Sequence, residues 1–476
     1  MSEILDPDPP RTAGSSEAVG SSPAPVPPRP EPRWWAELRP LLLRLHFYVG
    51  LFVGPFLLVV AVTGLLYTLT PQLEEIVHRH ELTAGTDHTA GVAVLPLQAQ
   101  VASAVAAVPD GKVFEIRPSS TPDGTTRVLL ESPSDTDGYT RTAFVDPYTG
   151  SVRGVLRTYG EWLPVRAWFD ELHRTLHLGT VGEVYSEVAA SWLWVLVLSG
   201  LGIWVGHRSR RDRRLRRTLL PEGSARGRTR LRSWHGTVGL WAAIGMLFLS
   251  ATGLTWSQFA GANVTTLRSA LEWKTPSVST TLPTGAPVLV AGNPANPGDV
   301  GATADLVLAS ARAAGVSDPV AITPAGSSAT AWTVEQTQRS WPVKQDSVAV
   351  DPTTGAVVDQ LRFADWPLAA KFARWGIDSH MGLLFGVANQ VILAVLALGI
   401  ICIVIWGYRM WWLRRPGRGV AGPPGAGQRP GFTPVLIVGL AAVGVGLFLP
   451  VLGTTLVAFL AFDVLREHRR PVEQIS

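Results

Sequence analysis

The sequence predicts a polytopic α-helical membrane protein, with a duplicated unit of transmembrane helix, extracytoplasmic α+β domain and transmembrane helix, followed by a C-terminal helical hairpin. Three observations predict it. The 476 residues are 46% hydrophobic and only 16% charged, whereas a soluble chain carries about a quarter charged residues. Apolar stretches at roughly 45–69, 187–206, 238–258 and 386–408 are long enough to cross a bilayer, which takes about 20 helical residues. A set of residues around the first stretch recurs around the third at one constant spacing.

Residues 1–37 read as a disordered cytoplasmic tail. Its first 33 residues are rich in Pro, Ser, Glu and Ala and hold too little apolar surface to fold. It is not a cleavable signal peptide, because the first apolar stretch starts near Leu41. The loop 207–232 contains eleven arginines, from Arg208 to Arg232, and Arg409, Arg414, Arg415 and Arg418 follow the fourth stretch. Positive charge in short loops marks the cytoplasmic side. The expected location is therefore the cytoplasmic (inner) membrane, multi-pass, with the N-terminus cytoplasmic. Topology accounts for the basic residues, so the bilayer is the expected partner and no nucleic acid is.

The first repeat covers 38–206, with an outer domain at 71–185. The second covers 233–412, with an outer domain at 259–385. A cytoplasmic linker (413–432), a membrane segment (433–465) and a cytoplasmic tail (466–476) follow. Pro450 and Gly453 interrupt the last apolar segment, which reads as a tight hairpin or, alternatively, one long tilted helix.

The repeat rests on register. His46, Val49-Gly50-Leu51 and Thr63-Gly64-Leu65 recur as His235, Val238-Gly239-Leu240 and Thr252-Gly253-Leu254, all at 235 − 46 = 189. Each outer segment shows a short helical run (97–108; 305–315), then strand-like runs (113–117 and 126–131; 320–323 and 330–336). Each then reaches Val-Asp-Pro-x-Thr-Gly, at Val145–Gly150 and Val350–Gly355. Asp-Pro starts a type I turn and Gly closes it in the left-handed region. Each outer segment is therefore expected to be a small α+β domain with an antiparallel sheet. Next come Phe169…His177-Leu178-Gly179 and Phe372…His380-Met381-Gly382, with equal spacing.

Two units of the same orientation are related by an axis along the membrane normal. His46 is then expected to face His235 near the cytoplasmic surface, and His177 to face His380 near the outer surface. Facing imidazoles between packed helices can supply both axial nitrogens of a haem iron. The flanking Gly50, Gly54, Gly179, Gly236, Gly239 and Gly382 are expected to leave room for a flat macrocycle. His173 lies four residues before His177 on the same helix face; it reads as an alternative ligand or a propionate partner. Arg44 and Arg232, beside the inner histidines, are candidate propionate partners. Met381 is discounted as a ligand because its counterpart is Leu178. His78, His80, His88, His207 and His468 are expected to be solvated. The single cysteine, Cys402, excludes a disulfide framework and a Cys-x-x-Cys-His attachment, so any haem is non-covalent.

With these motifs the chain resembles the PepSY-associated transmembrane family over roughly residues 38–465. That family includes iron-regulated inner-membrane proteins and di-haem ferric-siderophore reductases. The resemblance implies two b-type haems ligated by His46, His235, His177 and His380. It further implies a haem-dependent ferric reductase acting on a ferric chelate at the outer face. Fe(II) binds hard oxygen chelators less tightly than Fe(III), so reduction releases the metal. No nucleotide or flavin motif is present, so a cytoplasmic reductase or a quinol is the expected electron donor. The alternative is a non-enzymatic binding or regulatory membrane protein whose outer domains hold peptides. A transporter would need polar residues along the span centres, which hold almost none.

Overall fold

The computed structural model describes residues 33–85, 92–135, 138–211, 219–282, 297–327, 329–414 and 432–468. Most of the expected N-terminal tail, the centre of the arginine-rich loop, and most of the 413–432 linker lie outside these residues.

Helices α1 (Arg33–Phe52) and α2 (Gly54–Tyr67) are an apolar pair bent by 58°, together long and apolar enough to count as one span. Pro55 causes the bend. It has no N–H to give the carbonyl of Leu51, and its ring crowds the preceding turn. The freed carbonyl accepts the hydroxyl of Tyr408 instead. The Tyr408 ring lies against Gly54, where a Cβ would come within 3.0 Å of it. Three more helices are long and apolar enough to span a membrane: α7 (Thr180–Arg211), α8 (Gly227–Leu254) and α12 (Val387–Trp412). They close a ring in which α1 packs on α7, α7 on α8, α8 on α12, and α12 on α2. Val49, Leu57, Trp192, Met246 and Ile400 fill its interior. Leu198, Ile244, Ile392 and Val395 point outward, as side chains facing lipid do.

At one end of the ring the chain runs through α3 (Thr70–Val77), α4 (Arg79–Leu82) and α5 (Leu97–Ala107) into strands β1 (Lys112–Arg117), β2 (Thr126–Glu131), β3 (Tyr139–Val145) and β4 (Val152–Tyr159). It returns through α6 (Pro164–Thr175). The second half leaves α8 through α9 (Phe259–Ala270) and α10 (Pro297–Ala313) into β5 (Val320–Thr323), β6 (Trp332–Gln336), β7 (Ser347–Val350) and β8 (Val357–Leu361), and returns through α11 (Leu368–His380). Both Asp-Pro turns form as expected. Gly150 and Gly355 each have φ of +71°, and each glycine N–H donates 2.9 Å to the carbonyl of its turn aspartate.

The expectation of two separate sheets needs correction. All eight strands form one antiparallel sheet in the order β4-β3-β2-β1-β5-β6-β7-β8, joined where Ile116 pairs with Ile322. Pairing β1 with β5 hides two edges that would otherwise expose unpaired backbone groups. Helices α5 and α10 cover one face together, over Ile116, Val128, Leu130, Ile322, Val334 and Val348. Asp305 of α10 accepts the N–H groups of Leu97 and Gln98 at 2.8 and 3.0 Å, so the second half caps a helix of the first. Arg127 alternates with Val128 and Leu130 and so belongs to the opposite face, toward the helical ring.

Glu187, fully buried in α7, accepts the N–H groups of Phe259 and Ala260 at 3.0 Å each. It caps α9, which explains a carboxylate at this depth. The C-terminal apolar segment is two helices, α13 (Phe432–Phe448) and α14 (Pro450–His468), broken at Leu449-Pro450. Their backbones meet at Gly446 and Gly453, where a Cβ on Gly453 would lie 2.7 Å from the Gly446 carbonyl oxygen. The hairpin, not the single tilted helix, is the fold here. It seats on α7, where Trp192 Nε1 donates to Thr455 at 2.8 Å.

Candidate functional site: two histidine pairs

At the end of the ring remote from the sheet, His46 of α1 and His235 of α8 face each other as the repeat predicts. Their ring centres are 6.2 Å apart and their planes nearly perpendicular, at 89°. His46 Nδ1 lies 3.1 Å from the carbonyl of Leu196 and 3.1 Å from Ser199 Oγ. His235 Nδ1 lies 3.0 Å from the carbonyl of Ile403. A carbonyl only accepts, so Nδ1 carries the proton in each ring and Nε2 keeps its lone pair.

At the sheet end the structure departs from the expectation. His380 is met by His173 of α6, not by His177. His173 Nδ1 contacts Thr63 Oγ1 at 3.0 Å, and His380 Nδ1 contacts Thr252 Oγ1 at 2.5 Å. Each threonine hydroxyl spends its proton on its own helix, on Val59 or Val60 and on Phe248 or Leu249. The imidazoles must then donate through Nδ1, which again frees Nε2. Burial pushes His173 down to about 4 and His380 down to about 3, and charge on His173 lowers His380 further. Both are neutral imidazoles at neutral pH, the form that binds metal.

His177 stands elsewhere. Helix α6 ends at Thr175, and Leu176 and His177 take φ of +53° and +56°. His177 then lies against Trp168, with ring centres 5.0 Å apart, and 3.4 Å from Glu171. Helix α11 continues to His380, so the last turn differs between the two halves.

The glycines that matter were also not those expected. A Cβ at Gly200 would lie 3.0 Å from His46, at Gly64 3.0 Å from His173, at Gly407 3.7 Å from His235 and at Gly253 3.9 Å from His380. Gly50 faces Leu196, Gly54 holds Tyr408, Gly236 approaches Trp204, and nothing lies within 4 Å of Gly239. Gly179 and Gly382 have positive φ and close turns. Thr63-Gly64 and Thr252-Gly253, read from the sequence only as repeat markers, are the seats of the two outer imidazoles. Arg44 is partly buried and Arg232 exposed. His78, expected to be solvated, is buried, with Nδ1 3.9 Å from Glu81.

A charged layer separates the outer pair from the sheet. Arg339 bonds Glu161 of the first half and Asp378 of α11, the latter at 2.7 Å, and its Nη2 reaches Met381 Sδ at 3.4 Å. Arg374 adds a 2.9 Å contact to Asp378, and Arg117 adds one of 3.3 Å to Glu161. Burial opposes the charge on Glu161, but Arg339, Arg117 and Arg166 hold its carboxyl down at about 2. Glu161 and Trp162 also line a cleft of about 820 Å³ beside the first half-sheet, with Phe114, Tyr139 and Tyr159.

The donor set fits a haem. Two imidazoles sharing one metal ion, each nitrogen about 2 Å from it, have ring centres about 6 Å apart, the spacing of His46 and His235. Among the described residues no three His, Cys, Asp or Glu side chains gather as a metal site. Two protein nitrogens suffice where the ligand brings its own equatorial donors, as a porphyrin does.

No curated protein matches the sequence. The sequence profile of the PepSY-associated TM region matches residues 43–414, from within α1 through α12, which includes the sheet and both histidine pairs and stops before the α13–α14 hairpin. The chain is therefore a membrane protein that belongs to the PepSY-associated TM family.

Proposed function

We propose that the protein is a membrane di-haem electron-transfer protein that reduces ferric chelates, siderophores among them, at the outer face of the cytoplasmic membrane during iron uptake. The observation that supports the reading is the pairing of four partly buried imidazoles. Each is held through Nδ1, leaves Nε2 open, and lies at one end or the other of the helical ring. An imidazole oriented by a second hydrogen bond is the usual form of a metal ligand.

When bound, each haem supplies a one-electron iron couple. His46 and His235 would hold one group, and His173 and His380 the other. Leu196, Ile403, Thr63 and Thr252 orient the rings and raise their basicity. The apolar ring interior around Leu57, Trp192 and Met246 excludes water between the two sites. One electron entering at the arginine-rich end, from a cytoplasmic reductase or a quinol, leaves at the sheet end to turn one Fe(III) chelate into its Fe(II) form. The positive charge of the arginine-rich loop supports a cytoplasmic position for that entry end. The two halves are read as copies of one unit, because Thr63 and Thr252 hold their histidines in the same way at the 189-residue shift.

The test is the absorption spectrum of the protein purified from haem-replete cells. A reduced b-type spectrum with about two haems per chain, one per histidine pair, is expected. A colourless, haem-free preparation refutes the reading.

A further inference from the structure

Arg127 occupies an unfavourable place. It sits directly across the β1–β2 ladder from Arg117, and like charges in that relation repel. Arg117 is answered by Glu115 and Glu161. Arg127 is partly buried and its side chain makes no hydrogen bond or ion pair among the described residues; its guanidinium lies 5.8 Å from the Phe144 ring centre. Burial first, and then Arg117, act against its charge, while Glu74 and Glu161 favour it. Glu74 is a poor counter-ion, since burial pushes its own carboxyl up.

A second open donor faces the same two acids. Arg166 of α6 gives Nε to the Tyr67 hydroxyl at 2.9 Å and its backbone N–H to Glu74 at 3.0 Å. Its Nη2 is buried without a partner. Its guanidinium lies 5.5 Å from the ring of Trp162, which lines the 820 Å³ cleft. Arg166 and His173 are seven residues apart on one face of α6, a rise of about 10 Å. A guanidinium removed from water without an acceptor is costly, and a planar fork is matched best by a carboxylate.

We propose that Arg127 and Arg166 form a carboxylate-binding subsite between the sheet and the outer histidine pair. Its occupant is either a carboxylate of a ferric chelate entering by the cleft or a propionate of the haem held by His173 and His380. The subsite rests on the function proposed above and separates into two arms.

The full-length protein in nanodiscs is compared with Arg127→Gln and Arg166→Gln. In the first arm, calorimetry measures binding of gallium citrate, which carries free carboxylate, and of a gallium trihydroxamate, which has none. In the second, the haem-stripped protein is reloaded with haem or with its dimethyl ester, which lacks free carboxylates. The subsite predicts about a tenfold loss, confined to the carboxylate-bearing ligand, in one arm. The first arm identifies a chelate, the second a propionate. Ligand-free Arg127→Gln should melt no lower than wild type, because it sheds an unanswered cation. Equal losses for both members of each pair, no loss in either arm, or a lower ligand-free melting temperature overturns the proposal. A wild-type protein that takes up no haem refutes the haem reading alone, and the citrate arm still decides the subsite.

Discussion

The two histidine pairs are built differently. At the arginine-rich end, His46 and His235 come from matched positions of the repeat and face each other at 6.2 Å. At the sheet end, the matched residues are His177 and His380, yet His173 takes the place opposite His380. The starts of the two helices agree, since Pro164 and Pro367 are 203 residues apart, as are His177 and His380. The ends do not. Helix α6 stops at Thr175 while α11 runs to His380. The acceptors kept their register, for Thr63 and Thr252 are 189 apart, but the imidazole moved by one turn. The place where a helix ends decides which of two histidines on one face reaches the interior. In the second half the position matching His173 is Gly376, packed on Thr252.

The largest effect should come from the histidines. His173→Ala is expected to lose about one of two haems, as should His46→Ala and His380→Ala, while His177→Ala keeps both. Haem-to-protein ratios from absorption check this. Loss of a haem in His177→Ala but not in His173→Ala would reverse the assignment at the sheet end.

Next is the bond that ties the halves together there. Glu161 has a folded pKa of about 2 against an ordinary 4.5. Its stabilisation is therefore complete above about pH 4.5 and is lost as pH falls toward 2. Glu161→Gln should cost about 3 kcal/mol at neutral pH. It should also flatten the loss of stability on acidification, read by thermal melts across that window.

Removing an acceptor should act more gently. Thr63→Val and Thr252→Val are expected to weaken haem retention at the outer site by about 10- to 100-fold, measured by transfer of haem to an apo-globin. Equal effects in the two variants would support matched roles for the threonines despite unmatched histidines.

The smallest effect probes the bent crossing. Tyr408→Phe leaves the Leu51 carbonyl unanswered at the Pro55 break and should destabilise by about 1–2 kcal/mol. The matching helix α8 is continuous and has Ile244 in place of Pro55, so no comparable partner is needed there. An unchanged melting temperature would mean the carbonyl finds another donor.

Much of the molecule was legible in the sequence because its signals are local. The three long apolar helices and the bent apolar pair follow from apolar runs. Strands 126–131 and 320–323 follow from β-branched composition and match the observed β2 and β5 limits. Both Asp-Pro-x-Thr-Gly turns follow from the φ each residue tolerates. The inner pair was legible too, because both histidines sit in continuous helix, where register carries over directly.

Other features needed three dimensions. The join of β1 to β5 is set by how two half-sheets meet, and no residue pattern announces it. Arg127 reads as one more polar strand residue until Arg117 is found opposite and no acid in direct contact with it. The seats at Gly64, Gly200, Gly253 and Gly407 depend on which helix a histidine packs against. By itself the sequence determined the membrane class, the crossings, the turns and the four-histidine theme, because hydropathy and backbone preference act along the chain. Only the tertiary structure decided that His173 replaces His177, that two domains share one sheet, and which charges go unanswered. Helix termination, edge pairing and charge satisfaction depend on residues far apart in the chain.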